Sequence, residues 1–364
     1  MSVPAEPVAP FFDQTPESLA AHCAGAGLPP YTARQLLDWV YAKRITDVEQ
    51  MSNLSRAQRR RVRAVLHFEQ GTILGQQVAS DDTRKLLIGW AGADESVALP
   101  VLERGRETET VLIPTEQRRT ACVSSQIGCP VGCTFCASGL GGLDGNLTAG
   151  MIVEQIHHLR RQPGVDRVTN VVFMGMGEPL ANAGAVLDAI RTLNAPWGYG
   201  IGARKITIST VGLPAAIRRL VRFELPVTLA LSLHAPNDEL RRQLIPWAQY
   251  APIDELVEAC TEYFRATGRE ITLEYLLLRN VNDRPEHAGE LAEVARSLRA
   301  NVNLIRYNEV GGLPFERPST DSVRRFQETL RARSVNSHIR ASRGRDIAAA
   351  CGQLRHEQAG RAEA

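Results

Sequence analysis

From about residue 120 to residue 345 the chain alternates between β-rich and amphipathic helical segments. This alternation limits the choice of fold more than any other feature, because strands separated by helices predict parallel βα units. About six units predict an α/β fold, a partial (β/α)6 TIM-like barrel with its chemistry at the carboxyl ends of the strands. The predicted strands are residues 121–126, 168–174, 205–209, 227–232, 271–278, 303–306 and 338–341. The predicted helices are residues 149–160, 185–193, 215–222, 253–266, 287–298 and 321–332.

The rest of the chain predicts smaller parts on either side of this core. A small helical domain starts with Thr15 as N-cap and Pro16 at the first helical position. Short β-rich runs at residues 71–79, 83–91, 96–102 and 108–114 predict a β extension. The predicted order is a tail (1–13), the helical domain (14–67), the β extension (68–115), the barrel core (116–346) and a C-terminal segment (347–364).

Composition and charge exclude several classes of protein. The 364 residues are 44% hydrophobic and 23% charged, which excludes a disordered chain and a fibrous repeat. No apolar run approaches the roughly 20 residues of a membrane helix, and no secretory signal is evident, so we expect a cytoplasmic protein with no membrane partner. The net charge of +2 does not by itself indicate a nucleic-acid partner. The 39 arginines far outnumber the three lysines, which suits phosphate recognition or reflects GC-rich codon usage.

Cysteines are concentrated directly after the first predicted strand of the barrel. Cys129, Cys133 and Cys136 follow a C-x3-C-x2-C spacing on one short loop. Three thiolates on such a loop can bind three irons of a [4Fe–4S] cube and leave the fourth iron open. Structural zinc is the alternative, with Cys122 as a fourth ligand, although zinc sites commonly use two separated pairs. Cys23 and Cys260 are interpreted as structural.

Five further stretches, taken together, are similar to one known family. They are residues 120–129 (TACVSSQIGC), 174–180 (MGMGEPL), 206–210 (ITIST), 231–238 (LSLHAPND) and 350–354 (ACGQL). With the cysteine loop, they resemble the RlmN/Cfr family of radical S-adenosylmethionine (SAM) RNA adenine methyltransferases. The resemblance extends from about residue 14 to residue 354. It implies one [4Fe–4S] cluster on the three loop cysteines, with SAM at the open iron and two SAM molecules used per turnover.

The resemblance also assigns roles to residues outside the loop. It implies that Cys351 becomes an S-methylcysteine whose methylene radical adds to the adenine ring. Cys122 then releases the product by forming a transient disulfide with Cys351, and Glu109 accepts the ring proton. Without the family, both cysteines are interpreted as small buried core residues. Glu109 is then an exposed strand residue, with Glu107 as its competitor.

The SAM contacts implied by the resemblance lie at or after strand ends. Glu178 can accept a hydrogen bond from the SAM amino group, and the glycines of its motif allow the backbone to approach a ligand closely. Each polar residue taken singly is also explained as a cap or a loop hydrogen bond, so the shared location supports the set. The set is Gly177, Glu178, Ser209, Ser232, Leu233, His234 and Asn308.

RNA contacts are expected from a basic helix in the N-terminal domain. Arg56, Arg59, Arg60 and Arg63 are spaced so that one helix face carries all four. This face can bind RNA phosphates, and a solvated face is the alternative. An extruded adenine is expected at the barrel mouth. The expected partners are 23S rRNA, tRNA and an external electron donor of flavodoxin type, and the protein is expected to be a monomer.

Two enzymatic activities within the family and one non-catalytic function stay open. Pro179 and residues 235–238 look like the branch that methylates adenine C2 in 23S rRNA, at the peptidyl transferase centre, and in tRNA next to the anticodon. The alternative is the Cfr-like branch, which methylates C8 of the same rRNA adenine. A second alternative is a non-catalytic iron–sulfur protein that binds RNA or senses redox state. Arg306 stands where the family commonly has proline, which leaves the local loop shape open.

Overall fold

The N-terminal part of the protein consists of short helices and two very short strands. The computed structural model describes residues 8–90 and 106–354. The first elements are β1 (Ala9–Pro10), α1 (Pro16–Gly25), α2 (Thr32–Leu37), α3 (Arg56–Val65) and β2 (Leu66–His67).

Side-chain caps set where the N-terminal helices begin. The Thr15 hydroxyl accepts from the backbone N–H of Ser18, and the Ser18 hydroxyl accepts from that of Thr15, which forms a capping box before α1. Ser55 and Gln58 form the same arrangement before α3. The predicted start of α1 at Thr15 and Pro16 is confirmed.

Residues 8–13 do not form a tail, and that part of the prediction is wrong. Phe11 and Phe12 are only 1% and 2% exposed, and β1 pairs in parallel with β2. The Asp13 carboxylate accepts from the backbone N–H of Gly150 in the barrel at 2.5 Å. Burying two aromatic rings offsets the entropy lost when a terminal segment becomes ordered.

The β extension is antiparallel where the structure describes it. The predicted run at residues 96–102 lies outside the described residues. The strands are β3 (Gly71–Val78), β4 (Arg84–Trp90) and β5 (Glu107–Pro114).

The barrel follows with alternating strands and helices, as predicted. Its elements are β6 (Arg119–Cys122), β7 (Gln126–Gly128), β8 (Leu143–Asn146), α4 (Ala149–Arg160), β9 (Asn170–Phe173), α5 (Ala183–Asn194), β10 (Ile206–Thr210), α6 (Pro214–Leu220), β11 (Thr228–Ser232), α7 (Asp238–Leu244), α8 (Ile253–Thr267), β12 (Thr272–Leu277), α9 (Pro285–Leu298), β13 (Asn301–Arg306), α10 (Thr320–Ala332) and β14 (Ser337–Arg340).

One sheet joins the extension to the barrel. Its ten strands run in the order β14-β13-β12-β11-β10-β9-β6-β5-β4-β3, and the seven from β14 to β6 are parallel. Six helical crossovers connect those seven strands, which is the predicted α/β fold with a partial (β/α)6 barrel. The three remaining strands continue the sheet in antiparallel pairs.

The predicted strand at residues 121–126 is interrupted. Strand β6 ends at Cys122, and β7 begins at Gln126 as part of a separate two-stranded hairpin with β8. Between them, the backbone N–H of Ser124 donates to the side-chain oxygen of Gln155 at 2.8 Å, so a side chain takes the place of a strand partner. The chain therefore leaves the sheet here, and the following loop crosses the end of the barrel.

All three regions contribute to one hydrophobic core. Leu36 of the helical region, Trp90 of the extension and Ile208 of the barrel are fully buried in the same cluster. The domain boundaries at 67/68 and 115/116 therefore stay predictions. The hydrophobic core is continuous across both of them. Within the described ranges, no helix is long and apolar enough to cross a membrane.

Candidate active site

The loop that carries Cys129, Cys133 and Cys136 is held in a tight fold by glycine. A Cβ at Gly128 would lie 2.1 Å from the Gly142 carbonyl oxygen, and its φ of +73° suits glycine. The backbone N–H of Cys129 donates to the same carbonyl at 2.7 Å, and that of Cys136 donates to Cys133 at 3.1 Å. The loop therefore presents three thiols from one compact turn.

A cavity of about 900 Å³ opens at the carboxyl ends of the parallel strands, and all three loop cysteines line it. Five of the seven predicted SAM contacts also line this main cavity: Gly177, Glu178, Ser209, Ser232 and His234.

The surroundings of the three loop thiols are those expected of ligands to an iron–sulfur cluster. Burial raises the pKa of Cys129 to about 12 and raises the pKa of Cys133 and Cys136, so without a cation each would hold its proton at neutral pH. Backbone N–H groups point at Cys129 and Cys136, and Arg241 favours the anionic form of Cys133. N–H donors around thiolates are typical of iron–sulfur sites.

The thiols are not arranged around a single point. Within residues 8–90 and 106–354, no group of three His, Cys, Asp or Glu side chains is placed to hold one metal ion. In a cube each thiolate binds its own iron, so the ligands of a cluster stand further apart than those of zinc.

Glu178 is a buried carboxylate fixed between two strand ends. Its Oε1 accepts from the backbone N–H of Leu180 and its Oε2 from that of Val211, each at 2.9 Å. Burial raises the pKa of this carboxyl, and the two N–H donors oppose the shift. The Thr210 side chain also donates to this carboxylate, and an ionised carboxylate has about four lone-pair sites, so one stays available for a ligand ammonium.

His234 is neutral and offers one N–H to the main cavity. Burial lowers its pKa to about 3. Its Nδ1 accepts from the backbone N–H of Leu276 at 3.0 Å, so the ring proton must lie on Nε2. The ring packs edge-on against Phe135 of the cysteine loop, with centroids 5.2 Å apart.

The remaining predicted SAM contacts divide into two kinds. Ser209 is the penultimate residue of β10, Ser232 is the last residue of the neighbouring β11, and their hydroxyls lie 3.1 Å apart. The Leu233 side chain is fully buried and does not line the main cavity. Asn308 lines a second cavity instead, where its amide donates to the carbonyl oxygen of Cys351 at 3.4 Å.

The second cavity, of about 580 Å³, brings Cys122 and Cys351 together. Cys351 and Arg340 line both cavities, so the two spaces adjoin at these side chains. Burial raises the pKa of Cys122 to about 12, Cys351 adds to the shift, and Arg340 opposes it. The predicted cysteine pair therefore meets next to the cysteine loop.

Glu109 is buried, contrary to the reading of an exposed strand residue. Its Oε1 lies 2.8 Å from Nζ of Lys85 on the neighbouring strand β4. Neither Lys85 nor Arg340 is apparent from the sequence motifs. The scarcity of lysine in the sequence could have singled out Lys85. Arg340 ends β14, so the rule that functional residues lie at strand ends could have singled it out.

The four arginines lie on α3 as predicted, with Arg56, Arg60 and Arg63 exposed. Arg59 and Arg63 both form ion pairs with Glu49, the first at 3.1 Å. Two of the four side chains therefore already have a partner within the chain.

The comparisons with known proteins agree with this geometry. Residues 123–292 match the radical SAM superfamily, and residues 10–67 match the ribosomal RNA large subunit methyltransferase N-terminal domain. A probable dual-specificity RNA methyltransferase RlmN from Gloeobacter violaceus is 45% identical over 347 residues, which is 95% of each chain. One from Moorella thermoacetica is 42% identical over 93% of this chain and 95% of its own. The chain belongs to the RlmN family.

A solved structure supports RlmN membership at the level of the fold. The crystal structure of a radical SAM methyltransferase from Sphaerobacter thermophilus has a TM-score of 0.89 and 42% identity, and the match covers 96% of this chain and 99% of that one. Membership makes the protein an RNA methyltransferase with a radical mechanism that uses a [4Fe–4S] cluster and SAM. The alternative of a non-catalytic iron–sulfur protein is therefore wrong.

Proposed function

We propose that this RlmN-family protein methylates carbon 2 of adenine in 23S rRNA, at the peptidyl transferase centre, and in tRNA next to the anticodon. The observation that carries the proposal is the cavity shared by Cys122 and Cys351, which adjoins the cavity of the loop cysteines. Carbon 2 belongs to an electron-poor ring and is not a nucleophile, so direct attack on a SAM methyl group is unfavourable. A pair of cysteines offers a route through a carbon radical instead.

The cofactors are proposed to bind in the main cavity. Cys129, Cys133 and Cys136 would hold one [4Fe–4S] cluster with an open iron for SAM. When bound, the cluster and SAM supply a carbon-centred radical that takes a hydrogen atom. The Glu178 carboxylate, braced by two backbone N–H groups, would accept from the SAM ammonium. The other proposed SAM contacts are Gly177, Ser209, Ser232, Leu233, His234 and Asn308.

Cys351 is proposed to carry the methyl group. Its sulfur would accept the methyl group of one SAM, and a second SAM would supply the radical, which makes two per turnover. Loss of a hydrogen atom from the S-methyl group leaves a methylene radical on Cys351. This carbon forms a bond to adenine C2, so protein and RNA are briefly linked.

Glu109 and Cys122 are proposed to resolve this link. Glu109 takes the proton from C2 while the adduct gives up one electron to a one-electron acceptor. The Cys122 thiolate then attacks the Cys351 sulfur: the S–S bond forms, the S–CH2 bond breaks, and the released carbon takes a proton to become the methyl group. An external donor returns the disulfide to two thiols. The Arg340 charge, which opposes the rise in the pKa of Cys122, favours the attacking thiolate.

We also propose how the protein meets its partners. Arg56 and Arg60, which are exposed on α3, would bind RNA phosphates more strongly than the ion-paired Arg59 and Arg63. Replacing Arg56 and Arg60 by alanine should weaken RNA binding several-fold at low salt and reduce its salt dependence, as measured by filter binding. A flavodoxin-type electron donor, a monomeric state and a cytoplasmic location remain predictions.

The deciding experiment is an anaerobic methylation assay. The reconstituted protein receives methyl-labelled SAM, a reductant and either an unmodified rRNA fragment or tRNA, and nucleosides are analysed by mass spectrometry. Labelled 2-methyladenosine from both RNAs is expected. Labelled 8-methyladenosine would move the protein to the Cfr-like branch, which Pro179 and residues 235–238 argue against. If SAM is cleaved but neither methylated nucleoside is formed, the proposed substrate is contradicted.

A second experiment tests the cysteine chemistry directly. Cys122→Ala should trap a covalent protein–RNA adduct, because nothing can attack the Cys351 sulfur. Adding Cys351→Ala should abolish the adduct. A gel that shows no adduct from Cys122→Ala under reducing conditions with SAM would contradict the mechanism.

A further inference from the structure

A buried ion pair lies in the antiparallel part of the sheet, away from the loop cysteines. Lys85 Nζ and Glu109 Oε1 are 2.8 Å apart, and the side chains are 5% and 4% exposed. Burying two charges is expensive unless both are well satisfied, and two apolar residues would stabilise a sheet at least as well. A pair of this kind therefore calls for an explanation beyond stability.

The strand register places this ion pair on the same face as Cys122. Lys85 stands opposite Val111 between β4 and β5, and Val111 stands opposite Cys122 between β5 and β6. Lys85, Val111 and Cys122 therefore form one row across three strands. Glu109 lies two residues before Val111, so it faces the same side.

Lys85 also reaches the segment that carries Cys351. Its Nζ donates to the carbonyl oxygen of Ala348 at 3.3 Å. Ala348 has a φ of +49°, an unfavourable conformation for alanine that needs support from its surroundings. One ammonium group thus contacts both the proposed base and the backbone three residues before Cys351.

The identity of the residue is informative in this chain. Of the 42 basic residues, 39 are arginine, and Lys85 is one of three exceptions. An ammonium is a compact point charge whose three donors point in different directions, whereas a guanidinium is planar and larger. A buried position that serves a carboxylate and a carbonyl from one atom requires the compact group.

We propose that Lys85 is a positioning residue for methyl transfer, which holds Glu109 ionised and fixes it relative to the Cys351 segment. The inference rests on the proposed function. In the step concerned, the C2–H bond breaks, its proton moves to a Glu109 oxygen and its electron pair stays on the ring. Lys85 takes no part in the proton transfer itself, since its task is to favour the carboxylate and to set its place.

The first test compares Lys85→Met with Lys43→Met, the same change at an exposed lysine that pairs with Asp38. In Lys85→Met, SAM cleavage and Cys351 methylation should stay within about twofold of the parent protein. RNA product formation should fall about a hundredfold, as for the loss of a general base, and the covalent RNA adduct should accumulate. Lys43→Met should behave as the parent does. Product at the parental rate from Lys85→Met, or loss of Cys351 methylation along with product, would overturn the inference.

The second test needs no turnover. Infrared difference spectra of the cluster-free protein at pH 7 should show a protonated carboxyl band in Lys85→Met that is absent from the parent and from Lys85→Met/Glu109→Gln, because a buried carboxylate without its cation takes up a proton. The absence of this band from Lys85→Met would overturn the inference.

The conservative variant separates charge from position. Lys85→Arg should fold, lack the protonated carboxyl band and still form product at least tenfold more slowly than the parent protein, since the larger head cannot serve both acceptors. Full activity of Lys85→Arg would overturn the positional part. Failure of the parent itself to make 2-methyladenosine would instead refute the proposed function, whereas the infrared result would still report on the ion pair.

Discussion

The two halves of the ten-stranded sheet place their functional side chains differently. In the parallel half, Glu178, His234 and Asn308 follow strands β9, β11 and β13 and lie beyond the strand ends. In the antiparallel half, Lys85 and Glu109 lie within strands β4 and β5, on one face. Parallel strands all end at the same edge, so their loops converge there. Antiparallel strands alternate in direction, so side chains converge only across the face.

This difference suggests that the two parts of the sheet serve different steps of the reaction, and we call them the rim and the wall of one site. The rim, formed by the parallel half, is proposed to hold the cluster and SAM. The wall, formed by β4 and β5, is proposed to handle the ring proton. If the division is real, changes at the rim should stop SAM chemistry, whereas changes in the wall should stop only the later steps.

The largest effect is expected from the rim. Cys133→Ala should lose the cluster and should abolish SAM cleavage and methylation, because two thiolates do not hold a cube. Iron and sulfide content and 5′-deoxyadenosine formation measure this. Cys260→Ala, at a buried cysteine of α8, is the control and should keep its iron. Full iron content in Cys133→Ala would break the assignment of the loop.

The wall should give the next largest effect. Glu109→Gln should reduce product about a hundredfold, because the amide cannot accept the proton, while SAM cleavage stays within about twofold. Quantifying both products in one reaction separates the two halves. Glu107→Gln, in the same strand, is the matched control. A slow Glu107→Gln and a normal Glu109→Gln would reverse the assignment.

A smaller effect is expected from one hydrogen bond at the rim. Glu178→Gln removes a charge that would face the SAM ammonium, so SAM affinity should fall about thirtyfold. Equilibrium dialysis of the reconstituted protein measures the dissociation constant. Glu224→Gln, at an exposed carboxylate paired with Arg191, should not change it. Unchanged affinity in Glu178→Gln would mean that the ammonium binds elsewhere.

The smallest effect is a pH dependence that belongs to the rim. Burial lowers the pKa of His234 to about 3 from 6.5, so below pH 6.5 the unfolded chain binds a proton that the folded chain does not. This term therefore makes the protein less stable as pH falls. His234→Gln should reduce the loss of unfolding free energy between pH 7 and pH 5.5 by about 1 kcal/mol. Urea unfolding at the two pH values measures this, and equal losses in both proteins would contradict a neutral buried ring.

The two halves also differ in how far the sequence predicts them. The rim could be predicted because the cysteine loop and the Glu178 motif each lie in one short stretch after a strand. The ion pair of the wall could not be predicted, since Lys85 meets Glu109 only through the register of β4 and β5, which depends on packing. Glu109 itself was predicted by resemblance, without its partner.

Two errors at the level of the fold have the same origin. Just after the break at Cys122, the backbone N–H of Ser124 donates to Gln155, which lies on a helix 31 residues further along. The order of residues 8–13 depends on space for Phe11 and Phe12 against helices that fold elsewhere in the chain. Local patterns predict where a strand or helix forms, and distant side chains decide where it stops.

The attachment of residues 8–13 has a consequence for substrate choice. Asp13 holds the start of α4, and Phe12 packs on His157 of that helix. Arg44 donates to two backbone carbonyls, one at the last residue of α4 and one just beyond it. The helical region is thereby held against the barrel at several points. For an RNA bound by α3, the distance from α3 to the rim would then be set by these contacts. If α3 binds RNA as proposed, RNAs whose own fold spans that distance would be favoured as substrates, without any base being read.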